Sequence, residues 1–345
     1  MKWFNILVIG IFIGLMVFIT FVGQNHEALS EQEKHFYSRL HNVSIQGVKD
    51  VDIDMDLEEF QDQEGFGGGE SVSQAGFVNE SPLTYQGDDE DEPNIEAKVA
   101  LVWDIESGQE LYQKNSTERY QLASITKLLT ATVVLDKYTY GSGEWVTMSQ
   151  SAFDTYGGKS LLVGESFTVE DLIKAILLPS SNPSATLLAE HFGHGDYDQF
   201  INDMNQKAQE IGMKSSYFQN PHGLDEDNHY STARDVQKLT EYVYENYPFL
   251  LEMMSQEQTT IRTSEGREIL IRNSNELISD MESMYAGKTG FTYDALETLT
   301  SIIEINGRKI GVTVMQSPIG GYRFLDTKQI AYWIEENYMT KEQEL

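Results

Sequence analysis

The sequence predicts an α/β fold, an antiparallel sheet flanked by helices with an inserted helical subdomain, and three observations predict it. Residues 97–115 alternate apolar and polar like two strands joined by a turn. Residues 124–246 place their apolar side chains mostly at helical spacing, and strand patterns return from residue 259 before a closing helix. Strands, then a helical block, then strands of the same sheet describe a sheet with an insertion.

Each element has its own justification. In AKVALVWDIESGQELYQKN, Val99, Leu101 and Trp103 share one face and Glu106 to Gly108 make the turn. The helical block contains SITKLLTATVVLDKY, VEDLIKAILL and YDQFINDMNQKAQEIG. TTIRTSEGREILIR reads as a hairpin around Glu265-Gly266. LTSIIEINGRKIGVTVMQ reads as a stronger one, because Asn306-Gly307 between alternating apolar runs suits a type I′ turn. An amphipathic helix over about Tyr322–Tyr338 closes the fold. The globular part is expected over residues 95–340.

Before it lie two segments of different character. Trp3 to Gly23 is uncharged, and about 21 residues at ~1.5 Å rise span the ~30 Å hydrocarbon layer, which predicts a transmembrane anchor over residues 1–23. No convincing cleavage site follows it. Lys2 precedes the segment while Glu27, Glu31 and Glu33 follow, so the N-terminus is expected in the cytoplasm and the rest outside a cell membrane crossed once. Residues 24–94 are rich in Asp, Glu and Gly and read as an acidic disordered linker. Asp50, Asp52, Asp54 and Asp56 alternate as calcium ligands do, but Met55 and Gln61 stand where an EF-hand loop needs Gly and Glu.

With 345 residues, 40% of them hydrophobic, the chain can bury a full core. Its net charge of −31 and pI near 4.4 exclude nucleic acid as a partner, which needs a basic face. Having no cysteine, it has no disulfide, thiolate metal site or cysteine nucleophile. His191 and His194 form H-x-x-H without the H-E-x-x-H pattern, so no metal or cofactor is expected.

Chemistry is suggested by three short motifs. Ser124-Ile125-Thr126-Lys127 heads an apolar helix, where i, i+3 spacing puts a hydroxyl and an amine on one face. A serine attacks only if its proton is taken, and a lysine takes it only when neutral, a state favoured by burial and by a second cation. Ser180-Ser181-Asn182 follows the apolar LIKAILLP, and Lys288-Thr289-Gly290 lies in the strand-like MYAGKTGFT. Taken singly, each has a bland reading: a serine starting a helix, an Asn N-cap ahead of Pro183, a strand end with a bulge-forming glycine. Together and in this order they are the signature set of penicillin-binding proteins and serine β-lactamases.

The text around them also resembles the serine-type D-alanyl-D-alanine carboxypeptidases, the low-molecular-mass penicillin-binding proteins of peptidase family S11. LASITKLLTA, LLPSSNPSATLLAE, FQNPHGLDEDNHYSTARDVQKL, RNSNELI and GKTGFT carry the likeness across about residues 97–340. The resemblance implies an α/β sandwich with the site where the helical subdomain meets the sheet. It implies Ser124 as nucleophile, Lys127 as its base, and Ser180 with Asn182 as proton relay and amide-orienting groups. Lys288, Thr289 and Gly290 would border the terminal carboxylate, and the N–H groups of Ser124 and Phe291 would form an oxyanion hole. The implied substrate is the peptidoglycan stem pentapeptide, with β-lactams as inhibitors and the membrane contacted through the N-terminal helix. His222 and His229 are expected to shape a loop. Two departures stand out: Ala295 is followed by Leu296 where the family usually has Ala-Gly, and Pro183 follows the motif Asn. The C-terminal β-rich domain of many members is not expected here. A β-lactamase would need a water-activating carboxylate, and no E-x-x-x-N loop lies between Asn182 and Lys288. A catalytically silent wall-binding scaffold would have no need of all three motifs intact.

Overall fold

A computed structural model of the chain describes residues 82–87, 92–158 and 161–340. The expected membrane helix and most of the expected linker lie outside the described residues. Among the described residues no helix is long and apolar enough to cross a membrane.

Strands β1 (Thr84–Tyr85), β2 (Val99–Asp104) and β3 (Glu110–Lys114) come first. A short 3₁₀ turn at Ala123–Ile125 leads into helix α1 (Thr126–Lys137). The helical block continues with β4 (Trp145–Thr147), α2 (Gln150–Asp154), β5 (Ser166–Thr168), α3 (Val169–Leu177), α4 (Asn182–Phe192), α5 (Tyr197–Ile211), α6 (Ala233–Asn246) and α7 (Pro248–Met254). Then come β6 (Gln258–Arg262), β7 (Glu268–Arg272), α8 (Leu277–Asp280), β8 (Met284–Thr292), β9 (Leu296–Ile305), β10 (Arg308–Ser317), α9 (Tyr322–Asn337) and β11 (Tyr338–Met339).

The main sheet runs β3-β2-β10-β9-β8, with every pairing antiparallel. The β9–β10 hairpin turns at Asn306 and Gly307 with φ of 54° and 74°, the left-handed pair that a type I′ turn requires. Alternation splits the sheet between two cores. Val99, Leu101, Trp103, Ala286 and Ile302 pack under the helical block, while Leu299, Ile303, Val312 and Val314 pack against Ile330 and Ile334 of α9. Helix α1 is buried along all but its last two residues, since it runs through the middle of the block.

The structure moves one expected boundary. Residues 82–87 fall within the expected acidic linker, yet β1 pairs antiparallel with β11 and Leu83 is buried in the α9 core. The Tyr85 ring packs at a tilt 5.1 Å from the Tyr338 ring and 6.3 Å from that of Trp333. A two-residue strand among acidic residues has no periodicity to reveal it. Further along, the backbone N–H groups of Glu96 and Ala97 donate to the buried Asp326 carboxylate on α9.

Candidate active site

The head of α1 carries the first motif. Ser124 is partly exposed in the 3₁₀ turn, and Lys127 is fully buried one turn later. Lys127 Nζ lies 2.8 Å from Ser124 Oγ, 2.6 Å from Asn182 Oδ1 and 2.6 Å from the carbonyl oxygen of His222. A neutral amine has two N–H donors and one lone pair. The amide and carbonyl oxygens are acceptors only, so they take the two donors and leave the lone pair for the Ser124 hydroxyl proton. Burial, and secondarily the charge of Lys288, hold Lys127 well below the usual lysine range.

His222 and His229 are neutral here. Burial, then Lys127, then His229 press His222 down to about 3, and burial with Lys127 presses His229 to about 4. His229 Nε2 is 2.8 Å from Thr126 Oγ1, so its ring buttresses the head of α1. Gly223 follows at φ +85°, where a Cβ would sit 1.9 Å from the Ala123 carbonyl oxygen. Ala123 itself has φ +48°, so the turn that presents Ser124 is backed by a strained residue and a required glycine.

Ser180 and Asn182 flank the start of α4. Its N-cap is Ser181, whose side chain accepts from Ser184 N–H, which frees Asn182 from the capping role suggested by its place before Pro183. Asn182 therefore points its oxygen at Lys127, while its Nδ2 donates to the Tyr156 carbonyl at 2.6 Å. Ser180 sits at φ +65°, and its Oγ receives a 3.0 Å hydrogen bond from Lys288 Nζ.

Strand β8 forms the opposite wall. Lys288 is fully buried, and burial followed by the charge of Arg323 lowers it to about 7. Thr289 Oγ1 is 2.6 Å from Ser274 Oγ. Gly290 lets the strand approach the turn: a Cβ there would lie 2.9 Å from Ser124 N and 2.4 Å from Thr298 Oγ1. Phe291 comes next, its side chain exposed and 5.7 Å from the Tyr293 ring.

All eight site residues named from the sequence thus fall around one junction between the helical block and the sheet edge. His191 stands apart, 2.7 Å from Glu144 on the surface of the block. Sequence reasoning passed over Arg323, whose Nη1 donates to the Gly290 carbonyl at 3.3 Å and whose Nε is buried without a hydrogen-bond partner among the described residues. A signal was present: an arginine in the first turn of a helix opposes the helix dipole and invites a reason.

The chain is similar to known proteins. The sequence model of the D-alanyl-D-alanine carboxypeptidases matches residues 86–318. A D-alanyl-D-alanine carboxypeptidase of Bacillus subtilis is 33% identical over 210 residues, 60% of this chain and 54% of that protein. A D-alanyl-D-alanine endopeptidase of Pseudomonas aeruginosa is 31% identical over 245 residues, 70% of this chain and 78% of that protein. The chain therefore spans about half the length of the Bacillus relative, and 64% of a Haemophilus influenzae carboxypeptidase. Among solved structures, a Streptomyces DD-transpeptidase superposes with a TM-score of 0.66 at 26% identity, over 70% of this chain and 98% of that one.

Proposed function

The chain belongs to the D-alanyl-D-alanine carboxypeptidase family of serine peptidases, and from that premise we propose that it removes the terminal D-alanine of peptidoglycan stem pentapeptides through a penicillin-sensitive acyl-enzyme. The observation that carries this reading is the 2.8 Å approach of Ser124 Oγ to the amine of a fully buried Lys127. Neutral Lys127 takes the hydroxyl proton as Oγ attacks the carbonyl carbon of the penultimate D-alanine. The resulting oxyanion is received by the N–H groups of Ser124 and Phe291, a contribution on the order of several kcal/mol. When the peptide C–N bond breaks, the leaving amine of the terminal D-alanine takes the proton back from Lys127, with Ser180 as the relay. Asn182 orients the substrate amide. Water then attacks the acyl ester and gives a proton to Lys127, which passes it to Ser124 Oγ as the ester bond breaks and the shortened stem leaves.

The terminal carboxylate is held by Lys288 and Thr289 beside Gly290, and by Arg323. Arg323, and Lys288 in its protonated state, give an anionic substrate end somewhere to bind in a protein of net charge −31. A β-lactam carbonyl would be attacked in the same way. Residues 1–23 are proposed as the membrane anchor and the segment after them as the tether, placing the catalytic unit outside the cytoplasm.

The test is fluorescent penicillin labelling with product analysis on a stem pentapeptide, in the wild type and two variants. Ser124→Ala loses labelling and D-alanine release. Lys127→Ala remains folded and is acylated slower by roughly 10⁴-fold or more, and the double variant is no worse than the single ones, since the pair acts as a unit. A penicillin adduct on Ser124→Ala would place the nucleophile elsewhere.

A further inference from the structure

Glu297 has no part in the chemistry described above, yet it touches the loop that presents Arg323. It comes from β9 and is only 5% exposed. Its Oε1 accepts from the N–H groups of Gly320 at 3.0 Å and Gly321 at 2.9 Å, and its Oε2 from that of Arg323 at 3.3 Å. These donors lie at the start of α9, whose own N-cap, Gly321 at φ +87°, offers no side chain. A carboxylate from the neighbouring strand therefore caps the helix and favours its dipole. Burial would raise the carboxyl of Glu297, but the N–H groups of Gly321 and Gly320 and the charge of Arg323 bring it below the usual range, so it is ionised.

We propose that Glu297 is a positioning residue for recognition of the substrate carboxylate, acting through the Gly320-Gly321 turn to fix where Arg323 presents its guanidinium. The inference rests on the reading of the site as that of a peptidase for carboxylate-terminated peptides. Two effects compete. Held by Glu297, the turn sets Arg323 against the Gly290 carbonyl beside Lys288; the negative charge of Glu297 would meanwhile repel an incoming carboxylate. The three N–H dipoles at 2.9–3.3 Å offset part of the field of that charge, while the Arg323 Nη1 to Glu297 Oε1 separation is a loose 4.0 Å. Placement outweighs repulsion.

The test uses the full-length protein, a peptide ending in D-Ala-D-Ala, and the same peptide with a C-terminal amide. Glu297→Gln should raise KM for the carboxylate peptide about 10-fold with kcat within about 2-fold, the pattern of lost binding common to ground and transition states. Its kinetics on the amide should not change, Glu297→Asp should recover part of the loss, and the effect should vanish in an Arg323→Ala background. An unchanged carboxylate-to-amide ratio with only a lower Tm would make Glu297 a helix cap alone and overturn the inference. A lower KM would make repulsion the stronger effect and overturn it too. Should the Gln variant not fold, the Asp variant's ratio decides in the same way. A wild type that does not distinguish carboxylate from amide would remove the reading of the site and this inference with it.

Discussion

Lys127 and Lys288 are both fully buried, and burial is the largest cause of the lowered pKa of each. The folded value of Lys288, about 7, lies below the ordinary lysine value of 10.5, so between these pH values the unfolded chain binds the extra proton and stability rises with pH. Below about 7 the cost of the buried charge is fully present. Lys288→Met removes that cost along with the bonds to Ser180 and the Thr289 carbonyl. The Tm of the variant minus that of the wild type should therefore be more positive at about pH 6 than at about pH 9; a difference independent of pH would mean that Lys288 is not held low. A second residue prediction concerns Leu296, which adopts φ +52°. A left-handed leucine costs roughly 1–2 kcal/mol, partly offset by the entropy a glycine loses on folding. Leu296→Gly should raise stability by up to about 1 kcal/mol in a denaturant titration; a loss of that size would show that the side chain's packing dominates. At this scale the sequence was readable where spacing did the work, as in Ser124 and Lys127. It was not readable where function depends on a distant contact, as with Arg323 and Glu297.

Elements with a period were legible, and those without one were not. The Asn306-Gly307 and Glu265-Gly266 hairpins lie at the expected turns, and Lys288 lies in the expected strand. Helix α9 ends at Asn337, one residue short of the expectation, because Tyr338 turns extended to pair with β1. Pro183 proves to be an ordinary helix-start proline, in the first turn of α4, where no N–H is needed. The β4–β5 pair inside the helical block escaped notice because three-residue strands alternate too briefly to be told from loop. The same brevity hid β1. Its omission has a measurable price: a chain beginning at Pro82 keeps Leu83 and Tyr85 against α9, whereas one beginning at Asp91 loses both. Burying one such side chain contributes about 1.5–3 kcal/mol, so the shorter chain should melt several degrees lower while its penicillin acylation rate, set about Ser124, stays the same. Equal Tm values would mean that the β1–β11 pair adds nothing.

For the whole catalytic unit, that pair has a topological meaning. The first and last described strands are hydrogen-bonded partners, Thr84 opposite Met339 and Tyr85 opposite Tyr338, with Gln86 N–H also donating to the Asn337 carbonyl. In effect the unit is a ring opened at one rung. The glycine of the Glu265-Gly266 turn has open space around it, and that turn lies between the second motif and the third. A circular permutant opened there and rejoined by a short linker from Thr340 to Pro82 would read Lys288-Thr289-Gly290 first and Ser124 after it, with every contact of the site retained. The linear order of motifs would then be a record of where the ring is cut, an outcome that penicillin labelling of the permutant at the wild-type rate checks and its loss overturns.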